Sequence, residues 1–185
     1  MQKFNWADVP ASSDEFANPT PGGYICRIMA VEDCPERNYL KIYYDIVDGE
    51  FKDFYTQRKN NAGIEYPIMY RSYTEKARGM FKGFLKALEE SNRNFIADKF
   101  DGNEQQFRGM FIGLVLGEEE YLNKNNEIRL AIKAVKCCSG PKIRQGDFKV
   151  PPLKKLSAEQ AAKANTTSYT PFSDTNAAFD DECPF

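Results

Sequence analysis

The sequence predicts a mainly β domain with one helix, arranged as a five-stranded Greek-key barrel and followed by a disordered C-terminal tail. Three features of the 185 residues predict this fold. Apolar and polar residues alternate in stretches on both sides of residues 74–92, which is typical of half-buried strands. Residues 74–92 instead repeat apolar side chains at helical spacing. From residue 157 onward no apolar period is sustained.

The first two strands are predicted from alternation that begins after a Pro-Gly-Gly break. Residues 22–31 place Cys26 and Ala30 on one face and Arg27 on the other. Residues 38–47 alternate in the same way. A third strand is predicted over residues 51–59, because a hairpin turn of sequence Asp-Gly-Glu precedes it.

Extended structure resumes over residues 66–73, and one amphipathic helix follows over residues 74–92. The nearly continuous apolar run at residues 110–117 predicts a buried strand. Residues 128–136 alternate again and predict the last strand. The acidic residues 118–120 between these two strands predict a solvated hairpin loop.

The predicted order is three strands, a helix and two strands. A five-stranded barrel of the OB type has this order, with its helix between the third and fourth strands. A split sheet packed against a helix would give the same order, so both architectures fit the pattern.

The charge of the chain is unevenly distributed. The whole sequence carries a net charge of −2, but residues 157–185 hold one base and five acids, for a charge of −4. The preceding residues hold 24 bases and 22 acids. We therefore expect a weakly basic domain, residues 1–156, joined to an acidic tail, residues 157–185, which is too polar to offset the entropy of ordering it.

Several classes of function lack the residues that they need. The chain has no histidine, and its five cysteines form no Cys-x-x-Cys pair, which indicates reduced thiols and no zinc site. No glycine-rich phosphate loop is present. Residues 118–120 could supply carboxylates for a magnesium-dependent nuclease, but a solvated loop explains them better. We expect no enzyme activity and no cofactor or metal. Without a signal core or apolar span, we expect a cytoplasmic protein.

Basic and aromatic residues interleave in the first three predicted strands and their loops, which is the composition that single-stranded nucleic acid requires. Bases neutralise phosphates, and flat rings stack on nucleobases. Aromatic residues in strands also serve simply as core, so part of the set is expected to be structural. The candidate DNA-binding residues are Arg27, Lys41, Tyr43, Lys52, Phe54, Tyr55, Arg58, Lys59, Tyr70, Arg71, Arg129 and Lys133.

The last six residues combine acids with one apolar ring. They are Asp180, Asp181, Glu182, Cys183, Pro184 and Phe185. A ring that fills an apolar pocket, beside carboxylates that pair with Lys or Arg at its rim, would dock on a partner protein. The segment resembles the C-terminal tip of bacterial single-stranded DNA-binding proteins, which ends in Ile-Pro-Phe after several aspartates; Cys183 stands where that family has Ile.

A second resemblance covers roughly residues 20–156. The stretches GGYICRI, MFKGFLKALEESN, FIGLVLGEEEY and IRQGDFKVPPLKKL resemble a family of phage single-stranded DNA-binding proteins from Gram-positive hosts. The resemblance implies an OB fold and a role in phage DNA replication or recombination inside a bacterial cell.

Together these features predict a non-enzymatic protein that binds single-stranded DNA without strong sequence preference and recruits replication or recombination proteins through its acidic tip. The alternative is a protein-binding adaptor, such as a recombinase-loading mediator, with little DNA binding of its own. Self-association is compatible with either function.

Overall fold

A computed structural model describes residues 18–162 and residue 164. Its strands and helices follow one another along the chain in the order β1, β2, α1, β3, α2, β4, β5, α3 and α4. The strands are β1 Gly22–Cys34, β2 Tyr39–Ile46, β3 Ile68–Ser72, β4 Phe111–Leu122 and β5 Ile128–Cys138. The helices are α1 Phe54–Ala62, α2 Arg78–Ser91, α3 Gly140–Arg144 and α4 Ala158–Ala161. Short 3-10 turns occupy Pro35–Arg37, Glu75–Ala77, Ala97–Lys99 and Glu104–Phe107.

The five strands form one open antiparallel sheet in the order β3-β2-β1-β4-β5. The prediction of a mainly β fold with five strands is therefore confirmed. The predicted strands at residues 22–31, 38–47, 110–117 and 128–136 correspond to β1, β2, β4 and β5. Ile132 and Ala134 of β5 are only partly buried against the core. The extended stretch at residues 66–73 contains β3.

The core lies on one face of the sheet and is covered by α2. Cys26 and Ile28 of β1 are fully buried, as the alternation predicts. A β-bulge between Ile28 and Ala30 then shifts the register against β2, so that Ala30 is exposed and Val31 turns inward. The predicted faces are therefore correct up to the bulge and reversed beyond it.

Helix α2 confirms the predicted amphipathic helix. Phe84 and Leu88 are fully buried on its inner face, whereas Met80 is 67% exposed. Phe84 meets Phe107 edge to face, with 5.4 Å between the ring centroids, and so ties the helix to the turn that precedes β4.

The predicted strand at residues 51–59 is wrong, and helix α1 occupies most of this stretch. The carboxylate of Asp45, which is 1% exposed, accepts hydrogen bonds from the backbone N–H groups of Tyr55 and Thr56 at 3.0 and 2.9 Å. It thereby satisfies donors that the first turn of a helix leaves free. Gly63, at φ 66°, ends the helix in the left-handed conformation.

The predicted hairpin loop at residues 118–120 is also wrong, because these residues continue β4 and pair with β5. Glu119 is held there by Lys154, whose ammonium lies 2.5 Å from its carboxylate, and by Lys133 at 3.3 Å. The connection between β4 and β5 therefore begins only after Leu122.

At the start of the predicted tail, Ser157 and Gln160 form a capping box that begins α4. The rest of the tail, including the predicted docking segment 180–185, lies outside the described residues. Within the described ranges, no helix has the length and apolar character needed to cross a bilayer.

Candidate nucleic-acid interface

The predicted DNA-binding residues do not lie on one surface. They divide among the outer face of β2 and β3, the region of α1, the strand β5, and a cleft beside β1. Each group has its own surroundings, and these decide which side chains are open to a ligand.

On the outer face of the sheet, Lys41 of β2 stands opposite Tyr70 of β3. The Tyr43 hydroxyl donates a hydrogen bond of 3.1 Å to the carboxylate of Glu32, which also lies 3.8 Å from the Lys41 ammonium. Partial burial and the hydrogen bond to Glu32 raise the pKa of Tyr43. The acid therefore offsets the positive charge that Lys41 brings to this face.

Near α1, the ring of Phe54 is buried and meets Tyr55 edge to face at 5.1 Å. Tyr55 in turn meets Tyr44 at 5.9 Å, and burial raises the pKa of Tyr55 strongly. Phe54 is buried and Tyr55 is partly buried against the core, so the expectation that these rings stack on nucleobases conflicts with their packing. Arg58 lies 5.5 Å from the centre of the Phe54 ring.

Most of the remaining predicted bases have acidic neighbours. Lys59 contacts Glu65 at 2.6 Å, and Arg129 contacts Glu127 at 2.8 Å. Lys133 contacts Glu119, as described above.

Arg71 stands opposite Leu40, which is buried in the core, so it points to the other face of β3 from its neighbour Tyr70. Tyr70 and Arg71 therefore lie on opposite faces of β3 and cannot both contact a ligand bound to one face of the sheet.

Arg27 and Lys52 differ from these, because they line a cleft of about 380 Å³ together with Arg144 at the end of α3. None of the three forms an ion pair within the described residues. Asp48 is the one acid among the described residues that line the cleft. We call this region the first depression; its charge favours an anionic ligand.

Phe111 forms the border of the first depression and has an exposed ring, with 44% of the residue accessible. It stands directly opposite Arg27 in the β1–β4 ladder. Their neighbours Cys26 and Ile112 are fully buried, so alternation turns Phe111 and Arg27 outward on the same face. An open ring thus lies beside the Arg27 guanidinium, which has no ion-pair partner in the part of the chain that the structure describes.

A second depression, of about 520 Å³, is also lined by Phe111. Arg93 and Arg108 line it, and neither forms an ion pair within the described part of the chain. No acid is among its described lining residues. The two depressions share Ser91 and Phe111, so they form adjoining parts of one basic surface.

Close packing brings α3 to the first depression. A Cβ built on Gly113 would lie 2.6 Å from Ile143, and one built on Gly23 would lie 2.5 Å from Phe148. The two glycines therefore let the segment around Ile143 rest directly on β1 and β4, which places Arg144 at the rim.

Among the residues that line the two depressions, the sequence predicts Arg27 and Lys52 as DNA-binding residues but gives no sign of Phe111, Arg93, Arg108 and Arg144. The sequence pattern places the Phe111 ring in a buried strand, and the three arginines come from loops or a short helix far apart in the chain. Among the described residues, no group of three or more His, Cys, Asp or Glu is placed to hold a metal ion.

Comparison of the chain with protein-family models and with curated proteins gives no match.

Proposed function

We propose that this protein binds single-stranded DNA without strong sequence preference and without catalysis, in phage DNA replication or recombination. The observation that carries the proposal is the exposed ring of Phe111, which borders two depressions lined by five basic side chains. These are Arg27, Lys52, Arg93, Arg108 and Arg144. In the described part of the chain, none of those bases has an acidic partner.

This arrangement suits a single strand for a physical reason. The phosphates of a strand bind cationic side chains that have no acidic partner. An unstacked nucleobase of any type can stack on an exposed aromatic ring. In a duplex the bases are already stacked, so the ring would have no free nucleobase to contact.

The fold gives further support. The sheet order β3-β2-β1-β4-β5, with α2 between β3 and β4, is the order that an OB barrel would have if it were opened between its third and fifth strands. We propose that the domain is an OB-type barrel. Its basic cleft beside β1 and β4 would then adjoin the face of strands 2 and 3 that OB folds commonly use.

The recruiting role of the acidic segment remains a proposal from the sequence. Replacing Phe185 by Ala should abolish capture of a partner and leave DNA affinity unchanged, because the ring is the anchor and the side-chain charge is the same. Equal recovery of the same partner with wild type and variant would contradict this role.

The proposed function is tested by titrating a fluorescent oligo(dT) with the protein and following anisotropy at several salt concentrations. Replacing Arg27 and Lys52 together by Ala should weaken binding and make the slope of log affinity against log salt shallower by about 0.7 for each lost phosphate contact.

The matched control replaces Lys59 and Lys133 together by Ala. It removes the same charge, but from side chains that contact acids, so the salt slope should hardly change. Equal effects of the two double variants would show that only net charge matters, and the absence of saturable binding by wild type would favour the adaptor function.

A further inference from the structure

We propose that the second depression is a phosphate-binding subsite, and that a bound strand passes from the first depression over Phe111 into the second. This inference rests on the proposed function. It extends the binding site to Arg93 and Arg108 and commits the ligand to a strand long enough to occupy both depressions.

The first argument is electrostatic. Arg93 and Arg108 are exposed and form no ion pair within the described residues, and no described acid lines the depression. Asp101 does not line the second depression, but its carboxylate accepts a hydrogen bond of 2.6 Å from the side chain of the lining residue Gln106. Two guanidiniums, each with five donors, are thus available to phosphate oxygens.

The second argument concerns the end of α2, which forms part of the second depression. The free carbonyl groups at a helix C-terminus carry partial negative charge and would repel a phosphate. Here the Asn92 side chain donates to the carbonyl of Leu88 at 2.8 Å, and the Asn92 backbone N–H donates to that of Glu89 at 3.3 Å. Asn92 therefore satisfies two of the carbonyl groups that would otherwise oppose an anion.

The third argument is continuity. Phe111 borders both depressions, and its backbone is fixed by Asn92, the residue that follows α2. A strand with a nucleobase stacked on this ring would have Arg27 within one adjoining depression and Arg93 and Arg108 within the other. The ring thus joins two cationic regions into one path.

The test measures affinity for oligo(dT) of increasing length, from about 4 to about 16 nucleotides, the range of site sizes for OB folds. The wild-type protein should gain affinity with length. Replacing Arg93 and Arg108 together by Ala should leave the shortest oligonucleotide unaffected and weaken the longest about tenfold, with a salt slope shallower by about 1.4. Gln at both positions, which keeps more of the side-chain bulk, should act in the same way.

A control variant replaces Lys76 and Lys124 by Ala, because both are exposed and line neither depression. It should bind oligonucleotides of every length as wild type does.

Two outcomes distinguish the claims. If wild type binds but the Arg93 and Arg108 variants lose no affinity, or lose it equally at every length, the second depression is not a subsite and the inference is overturned while the proposed function stands. If wild type binds no oligonucleotide of any length, both are overturned.

Discussion

The side chain of Asn92 pairs with the backbone of Phe111 through two hydrogen bonds: its amide nitrogen donates to the Phe111 carbonyl at 2.8 Å, and its amide oxygen accepts from the Phe111 N–H at 2.9 Å. Asn92, which directly follows α2, thereby bonds the Phe111 backbone at the start of β4 as a residue of a neighbouring strand would. It fixes the backbone that presents the exposed ring.

Replacing Asn92 by Ala should therefore lower the melting temperature and weaken DNA binding, because both backbone groups of Phe111 lose their partner. Since water can reach this partly exposed site, the loss of stability should be near the lower end of about 1–3 kcal/mol. Asn92→Asp keeps the acceptor but places a carboxylate against two carbonyl oxygens, so it should be at least as harmful. Thermal unfolding of both variants checks this, and an unchanged melting temperature would contradict it.

Gly113 should not tolerate a methyl group. A Cβ there would lie 2.6 Å from Ile143, 2.7 Å from the Ser139 carbonyl oxygen and 3.0 Å from that of Cys138. Because two of these atoms are backbone, Gly113→Ala should destabilise the fold by about 1–3 kcal/mol.

The matched control for Gly113→Ala is Gly83→Ala, in the exposed face of α2, where nothing lies within 4 Å of the new atom. It should stabilise the protein by up to about 1 kcal/mol through helix propensity. Urea denaturation gives both values. If the two substitutions shift stability in the same direction, α3 does not rest on Gly113 as described.

Asp45 should be essential for α1. Its buried carboxylate accepts from the N–H groups of Ile46, Tyr55 and Thr56 and from the Thr56 hydroxyl. Asp45→Ala leaves these donors without a partner and should cost about 2 kcal/mol or more, whereas Asp45→Asn retains one acceptor and should cost less. Urea denaturation measures the difference. Equal losses for Ala and Asn would show that the carboxylate does not organise the helix.

The stability contributed by Glu119 should depend on pH. Burial alone would raise the pKa of this carboxyl, but the hydrogen bond from Lys154 and the charge of Lys133 outweigh burial and hold the pKa below its usual value. The folded protein then binds the proton less tightly than the unfolded chain, whose glutamate pKa is about 4.3. The contribution is complete above that pH and is lost as pH falls through the folded value.

Wild type should accordingly exceed Glu119→Gln in stability at neutral pH, and the gap should narrow as the solution is acidified below about pH 4. Denaturant unfolding across this range measures the gap. A constant difference at every pH would mean that the carboxylate charge does not stabilise the fold.

The parts of the fold that the sequence predicts are those with a sustained period. Alternation shows β1, β2 and β5, a nearly continuous apolar run shows β4, and helical spacing shows α2. In contrast, α1 depends on a hydrogen bond from Tyr55 to Asp45, ten residues earlier in the chain. The spacing of apolar residues around α1 does not reveal this tertiary contact. Phe51, just before α1, and Phe54 and Tyr55 within it have helical spacing, but this run of apolar residues is too short to exclude a strand.

The candidate site was only half predictable for a similar reason. Arg27 stands out because it interrupts an apolar strand at an outward position. Arg93 and Arg144 lie in a loop and a short helix, and only the packing of Ile143 on Gly113 and the end of α2 bring them near Phe111. Their sequence neighbours give no sign of a shared surface.

The most direct test of the central claim is the affinity of Phe111→Ala for a mixed-sequence single-stranded oligonucleotide, measured by anisotropy beside wild type and Ile96→Ala. Ile96 is a matched control, since it is 46% exposed and lines neither depression. If a base stacks on the ring, Phe111→Ala should bind roughly 5- to 150-fold more weakly, as expected for the loss of about 1–3 kcal/mol, with an unchanged salt slope and with Ile96→Ala like wild type. Equal affinity of Phe111→Ala and wild type would contradict the claim that the strand passes over Phe111.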